Sequence, residues 1–181
     1  FEEFELAEKL TNIHRGMDSV RFSKTGGEAC AIAIRIARAY TNRSIIVASG
    51  YFGWHDWYLA SNLKKGSLDK LLLPGLEPKG VPKELAGTCV TVDYGNTKQL
   101  KEVFKKYQNK IAAFIVEPQR NRKMNSEFLG TARRLTKKNN SALIYCEVSS
   151  GFRLKTGGLY TKYKITPDIV TLGKALGNGF H

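Results

Sequence analysis

Short apolar runs of strand length alternate with stretches of helical period along almost the whole chain, and no other feature limits the fold as tightly. Ile111-Ala112-Ala113-Phe114-Ile115-Val116 is an unbroken apolar run. That is the pattern of a strand covered on both faces, as in parallel sheets flanked by helices. Comparable strands are expected at Ser44 to Ser49, Thr88 to Val92, Ala142 to Glu147 and Ile169 to Leu172, with a shorter one at Val20 to Phe22. Between them, helical spacing predicts helices over 3–13, 26–42, 97–107 and 126–138, the last with Ser126 as its cap. Strand and helix in turn imply crossovers, hence an α/β, three-layer domain with a mainly parallel sheet.

The bulk numbers exclude several classes. The 181 residues are 42% hydrophobic and 25% charged, enough for one domain with a real core and too apolar for a disordered chain. No apolar run approaches the roughly 20 residues that span a bilayer. The amino terminus, Phe1-Glu2-Glu3-Phe4-Glu5, is acidic rather than a basic signal start. Cys30, Cys89 and Cys146 lack metal-ligand or CxxC spacing, which argues against zinc or a disulfide framework and for a reducing compartment. The expected location is cytoplasmic, with no membrane partner.

A formal charge of +13, from 29 basic and 16 acidic residues, is compatible with an anionic ligand. Its cations fall in short clusters, Lys64-Lys65, Lys105-Lys106, Arg120 to Lys123 and Lys137-Lys138, several on polar helix faces. No zinc-finger or ribonucleoprotein motif accompanies them, so nucleic acid stands as a minor expectation resting on charge alone. Residues 61–87, with three prolines, four glycines and Leu71-Leu72-Leu73, read as a long surface excursion bordering a site or a subunit contact.

Four segments carry candidate chemistry. Lys174 follows the strand pattern Ile169-Val170-Thr171-Leu172 inside a glycine-rich turn. In a partly dry site a lysine amine can attack an aldehyde and form a Schiff base near neutral pH. Thr25-Gly26-Gly27 opens a helix, whose free amides and close backbone approach suit a phosphate; a Gly-Gly pair by itself is only a tight turn. Tyr51, in Gly50-Tyr51-Phe52-Gly53-Trp54-His55-Asp56-Trp57, can stack on a heteroaromatic ring, which contributes about 0.5–1.5 kcal/mol beyond burial. Trp54 and Trp57 read as core, and His55 as a structural histidine, since neighbouring strand residues face opposite sides. Glu117 and the run Cys146-Glu147-Val148 end two strands, where ligands of open α/β sheets bind.

These segments, in this order, resemble the class III pyridoxal phosphate aminotransferases of fold type I, a group that includes glutamate-1-semialdehyde aminomutase. The likeness is strongest to nucleotide-sugar and spore-coat-type aminotransferases, through Gly50 to Tyr58 and Ala37-Arg38-Ala39-Tyr40-Thr41. The resemblance covers nearly the whole chain and implies a pyridoxal 5'-phosphate cofactor. By it, Lys174 would be the catalytic lysine, Thr25, Gly26 and Gly27 would bind the cofactor phosphate, and Tyr51 and Val148 would pack on the two ring faces. Glu117 would support the hydrogen-bond network on the cofactor side. The partners it implies are a small-molecule amino donor, a carbonyl or sugar-type acceptor and a second copy of the chain. It also places residues 1–181 as the central part of the family's large domain, without the small carboxy-terminal domain.

Two departures stand out. Where the family reads Asp-Glu-Val, this chain has Cys146-Glu147-Val148, so a thiol replaces the carboxylate expected at the pyridine nitrogen. Glu147 is no simple substitute, because one step along a strand reverses the facing. Phe52 stands where relatives carry histidine. Three readings follow: an aminotransferase, an aminomutase that moves an amino group within one molecule, and a catalytically degenerate homologue acting in assembly.

Overall fold

A computed structural model describes residues 1–64, 77–119 and 125–179. Leu71-Leu72-Leu73, Lys65, the Arg120 to Lys123 cluster and His181 lie outside the described residues. The chain runs α1 (Glu2–Ile13), α2 (Gly26–Thr41), β1 (Ile45–Ser49), α3 (Asp56–Leu59), β2 (Cys89–Thr91) and α4 (Thr97–Lys106). It continues through β3 (Ile111–Val116), α5 (Ser126–Lys138), β4 (Ala142–Cys146), α6 (Leu159–Tyr163) and β5 (Ile169–Thr171). Single 3-10 turns occupy Ala60–Leu63, Lys83–Leu85 and Lys174–Leu176.

The five strands form one sheet in the order β2-β1-β3-β4-β5, and every pair is parallel. After β1 the chain turns to one side to add β2, then returns past β1 to place β3 on the other side. Connections leaving β1 and β3 therefore diverge, and a crevice opens at the carboxyl ends of these two strands.

Period-two alternation sorts the strand side chains between two cores. Ile46, Ala48, Ala113, Ile115, Ile144 and Cys146 pack with Cys30, Ala33, Ile34 and Ala37 of α2 on one face. Val47, Phe114, Val116, Leu143 and Tyr145 pack with Leu100 and Phe104 of α4 and with Phe128, Leu129 and Ala132 of α5 on the other. Each residue of β3 is buried, which is what an apolar strand between two helical layers requires. The expected three-layer α/β domain with a parallel sheet is the one observed.

Four local expectations are corrected. Val20 to Phe22 is not a strand: Val20 and Phe22 are half-buried and Arg21 is exposed, but no described strand pairs with them. Alternation supplies a face, and a ladder needs a partner as well. The cap of α5 is Asn125, whose side chain accepts from the Glu127 amide, rather than Ser126. Trp57 is core, but Trp54 is 75% exposed. The described ends of the 61–87 excursion are not wholly surface, since Ser61 and Val81 are buried.

Candidate active site

The entry to α2 is locked before any ligand is considered. Thr25 Oγ1 accepts from the Glu28 amide at 3.2 Å, while the Glu28 carboxylate accepts from the Lys24 and Thr25 amides at 2.8 and 2.9 Å. This reciprocal capping box fixes the first turn. It leaves the Gly26 and Gly27 amides as first-turn donors without intrahelical acceptors. Gly26 is demanded by packing: a Cβ there would sit 2.7 Å from Val148 Cγ1. The start of α2 thus lies directly against the segment that follows β4.

Beyond β1, Gly50 takes a φ of 137°, and a Cβ on it would lie 2.8 Å from Glu117 Oε2. Glycine is what allows Glu117, buried at the end of β3, to accept from the Tyr51 amide at 2.9 Å. The Tyr51 ring meets Tyr58 edge-on at 6.1 Å, and the Tyr58 hydroxyl donates to the Gly50 carbonyl at 2.6 Å. Tyr51 is therefore held from its backbone by one carboxylate and from its ring by one tyrosine. His55 is not on a strand, so the argument from alternating strand faces does not apply to it. It precedes α3 and comes near Gly27.

The step from Cys146 to Glu147 reverses the facing, as expected. Cys146 points to the α2 side, where its Sγ lies 3.8 Å from Cys30 Sγ, and Cys30 Sγ lies 3.5 Å from Thr171 Oγ1. Glu147 points to the other layer, and both its carboxylate oxygens accept from the Leu159 amide at 2.9 Å. It caps α6, and burial raises its pKa against the lowering effect of the Leu159 and Tyr160 amides. In the thiol pair either sulfur can donate, and the hydrogen bond with Cys146, aided by one with Thr171, lowers the Cys30 pKa against the raising effect of burial. The contact with Cys30, together with burial, holds Cys146 well above the usual thiol range.

Lys174 follows β5 at a φ of 48°, a left-handed conformation uncommon for a residue with a side chain. Its Nζ donates to Ser149 Oγ at 2.9 Å. The side chain is exposed, so the described residues do not supply the partly dry surroundings that the sequence suggested. All eight expected site residues, Thr25, Gly26, Gly27, Tyr51, Glu117, Cys146, Val148 and Lys174, line one cleft of about 440 Å³. Cys30, His55 and Ser149 also line it and were not foreseen. A signal existed only for Cys30, which stands four residues after Gly26, one helical turn along the same face.

A second, larger cleft of about 700 Å³ lies at the opposite ends of β4 and β5, bordered by Arg133, Arg134, Lys137 and Lys164. Arg133 there makes a bidentate pair with Asp168 at 2.6 and 2.8 Å. Asp168 also accepts from the Leu143 amide at 2.7 Å.

The sequence profile described as Aminotransferase class-III matches residues 1–181. The chain belongs to the class-III aminotransferase family. Curated relatives include glutamate-1-semialdehyde 2,1-aminomutases from Francisella philomiragia, 37% identical over 184 residues, and from Hydrogenobaculum, 38% identical over 183. Each alignment covers 98% of this chain and 42% of the relative, so this class-III chain spans under half the length of the relatives it matches. Among solved structures, an omega-transaminase from Sphaerobacter thermophilus superposes with a TM-score of 0.84 at 28% identity, over 98% of this chain and 42% of that one. A transaminase with PLP bound gives 0.85 at 26% identity, over 98% and 42%. The class-III fold is thus the fold type I arrangement expected from the motifs.

Proposed function

We propose that the chain holds pyridoxal 5'-phosphate in the cleft at the ends of β1, β3 and β4 and forms the cofactor-holding part of an amino-transfer enzyme's large domain. What supports this is the convergence of first-turn helix amides, a backbone-anchored tyrosine and a lysine amine on one cleft of about 440 Å³. That volume is within the roughly 300–1,000 Å³ of small-molecule sites. When bound, the cofactor supplies an aldehyde to which amines add and a ring that withdraws electrons from the neighbouring carbon.

The amides of Gly26 and Gly27 bind the phosphate, assisted by the positive end of α2. Thr25 Oγ1 accepts from Glu28 but keeps its own hydrogen to donate to an anion. Tyr51 stacks on one face of the ring, and Val148 packs on the other. Glu117 lines the same cleft, fixes the loop that carries Tyr51 and would support the hydrogen-bond network on the cofactor side. Lys174 Nζ, steadied by Ser149, is the amine that takes up and returns the substrate proton. Cys146 would face the ring nitrogen, and a thiol, unlike a carboxylate, would not hold that nitrogen protonated. The protein acts as a homodimer in the cytoplasm, on a small amino donor and a carbonyl or sugar-type acceptor.

A second reading, transfer of the amino group within one molecule, is favoured by the two aminomutase relatives at 37 and 38% identity. The readings separate on one measurement with the natural-length protein. Product from a single amino-carbonyl compound without an added donor supports the mutase, and an absolute need for a donor supports the transferase. For cofactor binding itself, borohydride added with pyridoxal phosphate should leave a reduced pyridoxyl adduct on Lys174. An unmodified Lys174 peptide in the mass spectrum would overturn the assignment. Cys146→Asp should raise the half-reaction rate if the thiol meets the ring nitrogen; an unchanged rate would remove Cys146 from that role.

A further inference from the structure

We propose that Cys30 and Cys146 form a reversible disulfide across the floor of the cleft, an oxidation site for hydrogen peroxide or a comparable small peroxide. The two sulfurs come from different elements, α2 and the end of β4, and stand 3.8 Å apart with no side chain between them. Both cysteines are free and line the cleft floor with only 1% and 3% of their surface exposed, so the oxidant must be as small as hydrogen peroxide and must enter through the cleft. Closing from 3.8 Å to a bond of about 2.05 Å requires a combined approach of under about 2 Å. Cys89, the remaining thiol, is also buried but lines no cleft with them, and burial raises its pKa to about 12. It remains a thiol.

The order of events follows from the hydrogen bonds. Cys30 is the attacking thiol, because its Sγ has both Cys146 Sγ at 3.8 Å and Thr171 Oγ1 at 3.5 Å placed to donate to a thiolate. The thiolate attacks peroxide: an S–O bond forms, the O–O bond breaks, and the departing hydroxide takes up a proton as water. Cys146 then gives up its proton and attacks the Cys30 sulfur. The S–O bond breaks, the S–S bond forms, and a second water leaves. In sum two thiols and one peroxide become one disulfide and two waters; the thiols lose two electrons and the peroxide gains them.

Oxidation changes the cleft in two ways. It removes both S–H donors from the floor, and it ties the helix that bears the Gly26 and Gly27 amides to the strand that leads to Val148. The effect on the cofactor rests on the function proposed above, whereas formation of the disulfide does not.

The 181-residue chain is titrated with hydrogen peroxide and mapped by mass spectrometry without reduction, then again after dithiothreitol. The expected result is a peptide linking Cys30 to Cys146, lighter by two hydrogens than the sum of its parts and split by dithiothreitol. Cys30→Ser and Cys146→Ser should each abolish it, and Cys89→Ala should keep it. Overoxidised single cysteines, or links between chains only, overturn the proposal, and the map of the unsubstituted chain decides this even if a variant fails to fold. Pyridoxal phosphate affinity, read by absorbance, should fall about tenfold on oxidation. Equal affinity in both states overturns the regulatory part alone. If the reduced chain binds no cofactor, the function proposed above fails and the regulatory part falls with it, while the linked peptide still establishes the oxidation site.

Discussion

Two clefts among the described residues sit at opposite ends of the same strands, and the larger is the less equipped for chemistry. At the amino ends of β4 and β5, Arg133 is already paired with Asp168, and Arg134 donates to Thr131. At the carboxyl ends, the Gly26 and Gly27 amides, the Lys174 amine and the Cys30–Cys146 thiols face a smaller opening. A cleft becomes a site when groups of complementary chemistry converge on it, and room alone does not achieve this. The difference has a cause in the backbone: helix starts and strand ends gather at one end of a parallel sheet, so unsatisfied amides gather there too.

The contrast can be broken most severely at Lys174. Replacing it with alanine should eliminate the borohydride-trapped pyridoxyl adduct, whereas Lys137→Ala in the larger cleft should leave its yield unchanged. Comparable trapping in the Lys174 variant would abolish the distinction. Next in size is Gly26→Ala, where the new methyl meets a stiff valine at 2.7 Å. Overpacking of about 1–3 kcal/mol outweighs a helix-propensity gain of at most about 1 kcal/mol. Thermal melting should therefore drop by several degrees, at about 2–4 °C per kcal/mol for a chain of this size. A higher melting temperature would mean that Val148 yields and that the contact between α2 and the β4 exit is loose.

A smaller effect separates the two faces at the end of β4. The folded-state pKa of Glu147 is raised by burial. Its contribution is therefore complete below the ordinary carboxylate pKa and is lost as pH rises from there through the folded value. Glu147→Gln keeps an acceptor for the Leu159 amide and removes the buried charge. It should stabilise by about 1 kcal/mol near neutral pH and by nothing in acid below the carboxylate range, as read from melting curves at several pH values. A pH-independent gain would mean that the charge is not what burial opposes. The smallest effect belongs to the larger cleft: Arg133→Ala should cost only about 0.2–1 kcal/mol, as for exposed ion pairs, with cofactor trapping unaltered.

How much of this was legible in the residues depended on how local each cause was. The bounds of β3 could be read from the apolar run Ile111 to Val116, because burial on both faces is written in composition. The facing of Cys146 and Glu147 followed from period two alone. Val20 to Phe22 has the alternation of a strand and no partner strand, and pairing is not a local property. Glu147 as the cap of α6 was invisible, since its partner stands twelve positions away across an irregular stretch. Cys30 offered only its helical spacing from Gly26, and the contact with Cys146 spans 116 positions. Strand alternation says nothing about His55, because Gly50 and Gly53, both at positive φ, turn the segment after β1 out of the sheet.

The order β2-β1-β3-β4-β5 carries one more consequence. Because the crossovers leaving β1 and β3 run in contrary directions, the gap between them is set by the path of the polypeptide rather than by any one side chain. The location of binding is inherited with the chain path, while the groups that line it are free to drift. A residue such as Cys146 thus changes the chemistry of the crevice lining without moving the crevice.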